Sequence, residues 1–313
     1  MSAGELSAVR DELHGTRRPA WMNDVLVTGI GPKLVRGEAT GEQALHFLVP
    51  NKRPLSALAL DAQIPAFVGG MTTDVLGAYD RPASEDLFAP SALSGVGFGT
   101  SLIGDLGDEG IAACAVKLPD GRPALITSAH VLAKGEEVFL PGAPPKRLGT
   151  VTLRLVTARS EEIYPRSTQA PSGPVLLDVA AIALDEGIHP NGGLPGRKTF
   201  TATDVASRIQ SLVGSRVVAW GQGGFRRGIV RSFWPRRVRD DVLGLCLVQQ
   251  SPTSERGDSG GLWLLGAEGG YAALGLHWGQ MAKEGAVFAM VTDMVTGARL
   301  LGLGEVFGAP RAG

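Results

Sequence analysis

Apolar residues in this chain come mostly in short runs, each ended by glycine, proline or charge. Residues 5–15 predict one short amphipathic helix. From Asn23 the pattern changes to strands and turns. "DVLVTGIGPKLVRG" and "EQALHFLVPNKRP" predict two strands joined through Gly37 and Gly41, and "AQIPAFVGGMTTDVLGAYDRP" adds a shorter strand that stops at Pro82. A boundary is expected at Pro82–Ala89, where apolar residues thin out. Beyond it, short strand-like runs recur at regular spacing, among them "GIAACAVKL", "PALITSAHVL", "VLLDVAAIAL", "SRVVAWGQGG", "LGLCLVQQ" and "YAALGLHWG". About ten such segments in succession imply closed β-barrels or a sandwich. The stretch after Thr292 predicts a C-terminal helix.

Composition agrees with a mainly β protein. With 313 residues, 44 % of them hydrophobic, the chain can bury a sizeable core, and Gly 44 and Pro 20 favour turns over a helical bundle. The formal net charge of -1 gives no global field toward nucleic acid or membrane. Cys114 and Cys246 lie in apolar runs and read as buried free thiols. The opening "MSAGELSAVRDELHGTRR" is charged and lacks an apolar secretory core, and no run is long enough to span a bilayer, so a cytoplasmic protein of bacterial type is expected.

The chemistry gathers around "SERGDSGGLWL". A serine hydroxyl needs a general base to become a nucleophile, and the oxyanion it creates needs fixed donors. Gly257, Gly260 and Gly261 allow a tight bend that aims backbone N–H groups inward around Ser259. The alternative is an ordinary glycine-rich turn. His130, at the end of the apolar run "ALITSAHVL", is the candidate base, against the alternative of a satisfied core histidine. Asp178 sits inside "VLLDVAAIAL", where a carboxylate is costly unless paired, so it is the candidate to orient the imidazole. Asp185, at the strand's exit, is the weaker candidate. The order His, Asp, Ser, with spacings of 48 and 81 residues, suits a base and acid in one barrel and a nucleophile in another.

On these residues the chain resembles the chymotrypsin-like (trypsin-fold) serine proteases. "TSAHV" resembles their histidine motif, "DVAAIAL" their aspartate motif, "GDSGG" matches their serine motif, and "GLHWG" is similar to their substrate-binding strand. The resemblance implies a double six-stranded β-barrel over residues 86–200, with His130 and Asp178, and 201–313, with Ser259. A small α+β accessory domain precedes them at 1–85 and resembles the leading region of some bacterial and plant trypsin-like proteases. It implies a serine endopeptidase with Ser259 as nucleophile, His130 as base and later acid, and Asp178 as orienting carboxylate. The N–H groups of Gly257 and Ser259 would form the oxyanion hole. It also implies a protein substrate and no cofactor.

Two departures matter. Val131 stands where the disulfide-rich secreted enzymes place a cysteine, which suits a reducing compartment. The new N-terminus that pairs with the aspartate before the serine in many relatives has no counterpart. "FVGG" at Phe67–Gly70 reads as a strand end, which leaves Asp258 without an evident partner and a regulatory protein partner open. Thr253, six residues before Ser259, argues against a preference for Lys or Arg. "GLHWGQ" is similar to the corresponding strand of glutamyl endopeptidases, so His277 with Ser254 or Thr253 is the candidate reader of Glu or Asp, beside Trp278 and Gly279. A structural His277 is the alternative.

Other signals are set aside. The glycines of "GVGFGTSLIGDLG" lack a βαβ frame and read as a barrel loop. Arg226, Arg227, Arg231, Arg236, Arg237 and Arg239, with Phe233 and Trp234, read as an exposed hairpin, so nucleic-acid binding is not expected. Metal-ligand spacing is absent. A catalytically silent protein of the same fold, serving as a binding scaffold, is the competing functional class.

Overall fold

The short apolar runs become strands, and the way their edges meet sets the architecture. A computed structural model describes residues 3–15, 18–35, 38–50, 52–77, 96–163, 172–191, 199–202, 206–222, 224–267, 270–282 and 287–304. Helix α1 (Ala3–Leu13) is followed by β1 (Val27–Val35), β2 (Glu38–Leu48), β3 (Phe67–Val68) and β4 (Met71–Leu76). Next come β5 (Val96–Gly97), β6 (Ser101–Gly104), β7 (Glu109–Ile111) and β8 (Cys114–Lys117). Then follow β9 (Pro123–Ser128), β10 (Glu137–Leu140), β11 (Lys146–Arg159) and β12 (Pro174–Leu184). Past β13 (Pro190–Asn191) and β14 (Thr199–Ala202), the chain forms β15 (Arg216–Gly221), β16 (Gly224–Arg237) and β17 (Cys246–Ser251). It closes with β18 (Leu262–Ala267), β19 (Gly270–Ala282), β20 (Val287–Thr292) and helix α2 (Met294–Leu300), whose first turn is capped by the Asp293 side chain accepting from Thr296 N–H at 3.1 Å.

The first sheet runs β7-β6-β10-β11-β12-β9-β8. Its two outer strands are consecutive in the chain and separated only by Ala112 and Ala113. Ala112 N–H donates to Thr100 on one side (2.8 Å) and Ala113 N–H to Ile126 on the other (2.7 Å), so β7 and β8 are one interrupted strand that closes the ring. Counted so, the barrel has six strands. In the second sheet, β15-β18-β19-β20-β17-β16 closes directly through the β15–β16 pairing. This is the double-barrel architecture that the motifs imply, and closure leaves few open edges.

Strand β16 is longer than the barrel needs. Its first half pairs with β15, and its second half pairs with β1, Ile30 opposite Phe233 and Val27 opposite Arg237. The order then continues β1-β2-β4-β3, so the N-terminal strands extend the second barrel's sheet. They also share its core: Leu6, Met22, Leu45 and Phe47 belong to one apolar cluster with Val230, Phe233 and Trp263. The expected boundary at Pro82–Ala89 lies outside the described residues.

Two expectations are corrected. The stretch Gly95–Gly107 is not only a loop, since it carries β5 and β6. The arginines of β16 are not an exposed hairpin: Arg226, Arg231 and Arg236, with Phe233 and Trp234, are all buried. Strand alternation turns Arg226 inward in phase with Gly228 and Val230. Arg231 Nε donates to Gln249 Oε1 (2.7 Å), and Arg236 donates to Asp11 (2.7 Å) and Asp241 (2.7 and 2.8 Å). Cys114 and Cys246 are buried free thiols, and burial pushes the Cys114 thiol up to about 12.

Candidate active site

The site begins with a flaw in a strand. Strand β12 pairs with β11 with two register shifts, one between Val151 and Leu153 and a second where Leu155 faces Val179 and Thr157 faces Leu176. Leu177 and Asp178 therefore oppose the single residue Val156, which is a β-bulge. Asp178 takes φ 53 there, a left-handed conformation that aspartate tolerates better than the apolar residues around it. The bulge turns its carboxylate out of the apolar run while keeping it fully buried.

That carboxylate organises the next turn. Ser128, at the end of β9, pairs with Val179, and the chain then bends. Ala129 N–H donates to the Asp178 carbonyl (3.0 Å), and His130 N–H donates to Asp178 Oδ1 (2.8 Å). Arg154 Nε donates to the Ala129 carbonyl (2.7 Å) from the neighbouring strand. His130 Nδ1 lies 2.6 Å from Asp178 Oδ2. An ionised carboxylate only accepts, so the proton sits on Nδ1 and Nε2 is left with a lone pair. His130 Nε2 is 2.9 Å from Ser259 Oγ. The structure thus brings together His130, Asp178 and Ser259, two from the first barrel and one from the second. Asp185 takes another role, accepting from Arg147 Nη1 at 2.5 Å.

Ser259 stands on a tight bend. Its carbonyl accepts from Ile111 N–H (2.9 Å), which ties the bend to the first barrel. Gly260 adopts φ +92, and a Cβ there would lie 2.3 Å from the Ile111 carbonyl oxygen, so both conformation and space require glycine. Gly257 adopts φ +90. The N–H groups of Asp258, Gly260 and Gly261 donate to the carbonyls of Glu255, His277 and Asp258. Among the described residues, the N–H groups of Gly257 and Ser259 donate to no backbone carbonyl.

The sequence reading missed what holds this bend. Asp258 is buried and forms an ion pair with Arg226, which is 3 % exposed. Its other contacts are Gln222 N–H (2.7 Å) and Glu255 N–H. The inward phase of Arg226 on an alternating strand was the available signal; its partner, 32 residues on, was not.

The proposed specificity residues separate. Thr253 is exposed, whereas Ser254 is buried with its Oγ bonded to Gln250 and its N–H donating to Gln280 Oε1 (2.9 Å). His277 is not on the cleft surface. It is 3 % exposed, and its Nδ1 accepts from Trp263 Nε1–H at 3.3 Å. Its pKa is lowered to about 4, chiefly by burial and further by Arg226 and His130, with Asp258 opposing them. A neutral ring inside the barrel offers a substrate carboxylate no cation, so the structural alternative for His277 fits the geometry. Trp278 and Gly279 lie at a bulge in β19, where His277 faces Val291 and Gly279 faces Met290. The bulge leaves Trp278 half-buried, its ring 6.0 Å from that of His130 and its carbonyl oxygen 3.5 Å from Ser259 Oγ.

No protein-family model matches the chain, and no curated protein matches it. Solved structures similar to it include Nocardiopsis protease NAPase, at 16 % identity over 68 % of this chain and 100 % of that one, with a TM-score of 0.48. Thermobifida fusca Protease A is similar at 18 % identity over 69 % of this chain and 100 % of that one, TM-score 0.46. Cellulomonas bogoriensis chymotrypsin is similar at 19 % identity over 68 % of this chain and 99 % of that one, TM-score 0.45.

Proposed function

We propose that this protein is a serine endopeptidase. The observation that carries the reading is the unbroken line from Asp178 through His130 to Ser259, ending beside two N–H groups without backbone acceptors. In this mechanism Ser259 Oγ attacks a peptide carbonyl carbon while His130 Nε2 takes its proton. The carbonyl π electrons move onto oxygen, which receives hydrogen bonds from the N–H groups of Gly257 and Ser259. Asp178 stabilises the imidazolium. Collapse of the adduct breaks the C–N bond, and His130 returns the proton to the leaving amine. Water then enters by the same base, and hydrolysis of the ester frees Ser259.

The Arg226–Asp258 pair supports a bend that is assembled without proteolytic activation, because a cation inside the chain supplies the charge. The experiment is cleavage-site profiling of a peptide library by mass spectrometry with the wild-type protein and the Ser259→Ala and His130→Ala variants. Wild type is expected to cut, and each variant to lose at least about 10³-fold in kcat/KM. A library left intact by the wild type, or cut equally by Ser259→Ala, refutes the reading and favours a silent scaffold.

A further inference from the structure

Beside the reaction centre lies a cation that the mechanism does not use. Strand β16 runs past its barrel partners to Arg237, and the chain then turns through Val238–Asp241 before bridging back, with Arg236 opposite Leu243. Arg237 N–H donates to the Val242 carbonyl (3.0 Å), which fixes the base of this turn. The same turn is anchored to the strand that carries Asp178, since Leu176 N–H donates to the Leu243 carbonyl (2.7 Å). Its position relative to the triad is therefore set by backbone bonds.

The Arg237 guanidinium carbon sits 4.3 Å above the Trp278 ring centroid. That ring is the one 6.0 Å from His130, so Arg237 lies at most about 10 Å from the catalytic imidazole. An extended peptide covers that distance in about three residues. The Trp278 ring also packs against the apolar cluster of Leu247, Phe288 and Met290, which fixes its position. Among the described residues Arg237 forms one ion pair, with Asp240 Oδ2 at 3.1 Å, and that carboxylate is 43 % exposed. Arg239 on the same turn is exposed and has no ion pair among the described residues. Asp241 is already engaged by Arg236. Beside Trp278 the turn thus presents the Arg237 guanidinium, whose partner is an exposed carboxylate.

Resting on the endopeptidase reading, we infer that Arg237, stacked on Trp278, selects an acidic side chain two to four residues from the scissile bond. Stacked over the Trp278 ring, the guanidinium is held in place and offers paired N–H donors to a carboxylate. The charge preference first assigned to His277 moves to a different residue and a different subsite. Asp240 is its internal competitor: in the absence of substrate it holds the guanidinium in place, and an incoming carboxylate displaces it.

The test uses fluorogenic peptides with one cleavage site, carrying Glu, Gln or Lys at the second, third or fourth residue on either side of it. Wild type is expected to favour Glu over Lys at one of these positions by about tenfold in kcat/KM, a difference of about 1.4 kcal/mol. Arg237→Gln reduces that ratio to within about twofold, Arg237→Glu inverts it toward Lys, and Asp240→Asn raises it. The same ranking in wild type and both Arg237 variants overturns the inference. Labelling of Ser259 by a small fluorophosphonate reads the reaction centre separately. A wild type that is labelled and cleaves without charge preference refutes this inference alone; a wild type that is never labelled refutes the endopeptidase reading and this inference with it.

Discussion

Asp178 does two things at once because its backbone leaves the strand. One carboxylate oxygen receives the His130 N–H and the other the His130 ring, so the same group sets the turn and the tautomer. Asp178→Asn keeps the shape but can present an amide N–H to Nδ1, which favours the tautomer that lacks a lone pair on Nε2. The expected result is a fall of about 10³–10⁴-fold in kcat at neutral pH with little change in KM, read by steady-state kinetics on a peptide that the wild type cuts. The motif around Asp178 was legible in sequence because a carboxylate in so apolar a run demands a partner. Its positive φ was not, since nothing local distinguishes a bulged strand from a regular one. His277 makes a separate, thermodynamic prediction. Its pKa is lowered to about 4 in the folded protein against an ordinary 6.5, so between those values the unfolded chain binds a proton that the native state refuses. Stability therefore falls as pH drops from about 6.5 to 4, by about 3 kcal/mol from this one group, and levels off below. Urea unfolding at pH 7 and pH 4.5 checks it: His277→Gln should shrink the difference between the two pH values, and an unchanged difference would contradict the assignment.

At the scale of elements, β16 carries more of the site than its sequence suggests. Arg226 at its start holds Asp258, the residues after Val230 receive the N-terminal sheet, and Arg237 at its end covers Trp278. Removing one member of a buried ion pair leaves the other charge stranded, at a cost of about 3–5 kcal/mol. Arg226→Met is expected to lose stability on that scale by urea unfolding and to slow acylation of Ser259, because the bend bearing Gly257 and Ser259 loses its anchor. A variant as stable as wild type with full acylation would remove Arg226 from the account. The strands themselves were readable from their short apolar runs and turn residues. Which edges pair was not: β1 and β16 are some 200 residues apart, and an alternating pattern marks a strand's inner face without naming its neighbour. For the same reason the arginines of β16 read as a solvated hairpin, when Arg226, Arg231 and Arg236 are buried in the protein.

Over the whole molecule, the N-terminal strands and the second barrel form one sheet over one core, while the first barrel closes on itself. Phe233, fully buried, pairs through β16 with Ile30 of β1 and packs in the cluster that includes Leu6 and Phe47. Deleting residues 1–77 would expose this part of β16 and strip apolar cover from the core. The truncated chain is expected to be insoluble or to melt at least several degrees lower in calorimetry. A soluble truncation with unchanged Tm would show instead that the leading region is a dispensable module. The triad spans the seam between the barrels, so its geometry depends on both being folded and docked. The central claim, that His130 and Asp178 activate Ser259, is tested most directly by intact-protein mass spectrometry after exposure to diisopropyl fluorophosphate. The account predicts a single phosphoryl adduct mapped to Ser259, absent from Ser259→Ala and strongly slowed in His130→Ala. An unmodified wild-type protein, or an adduct on another residue that persists in Ser259→Ala, would contradict it.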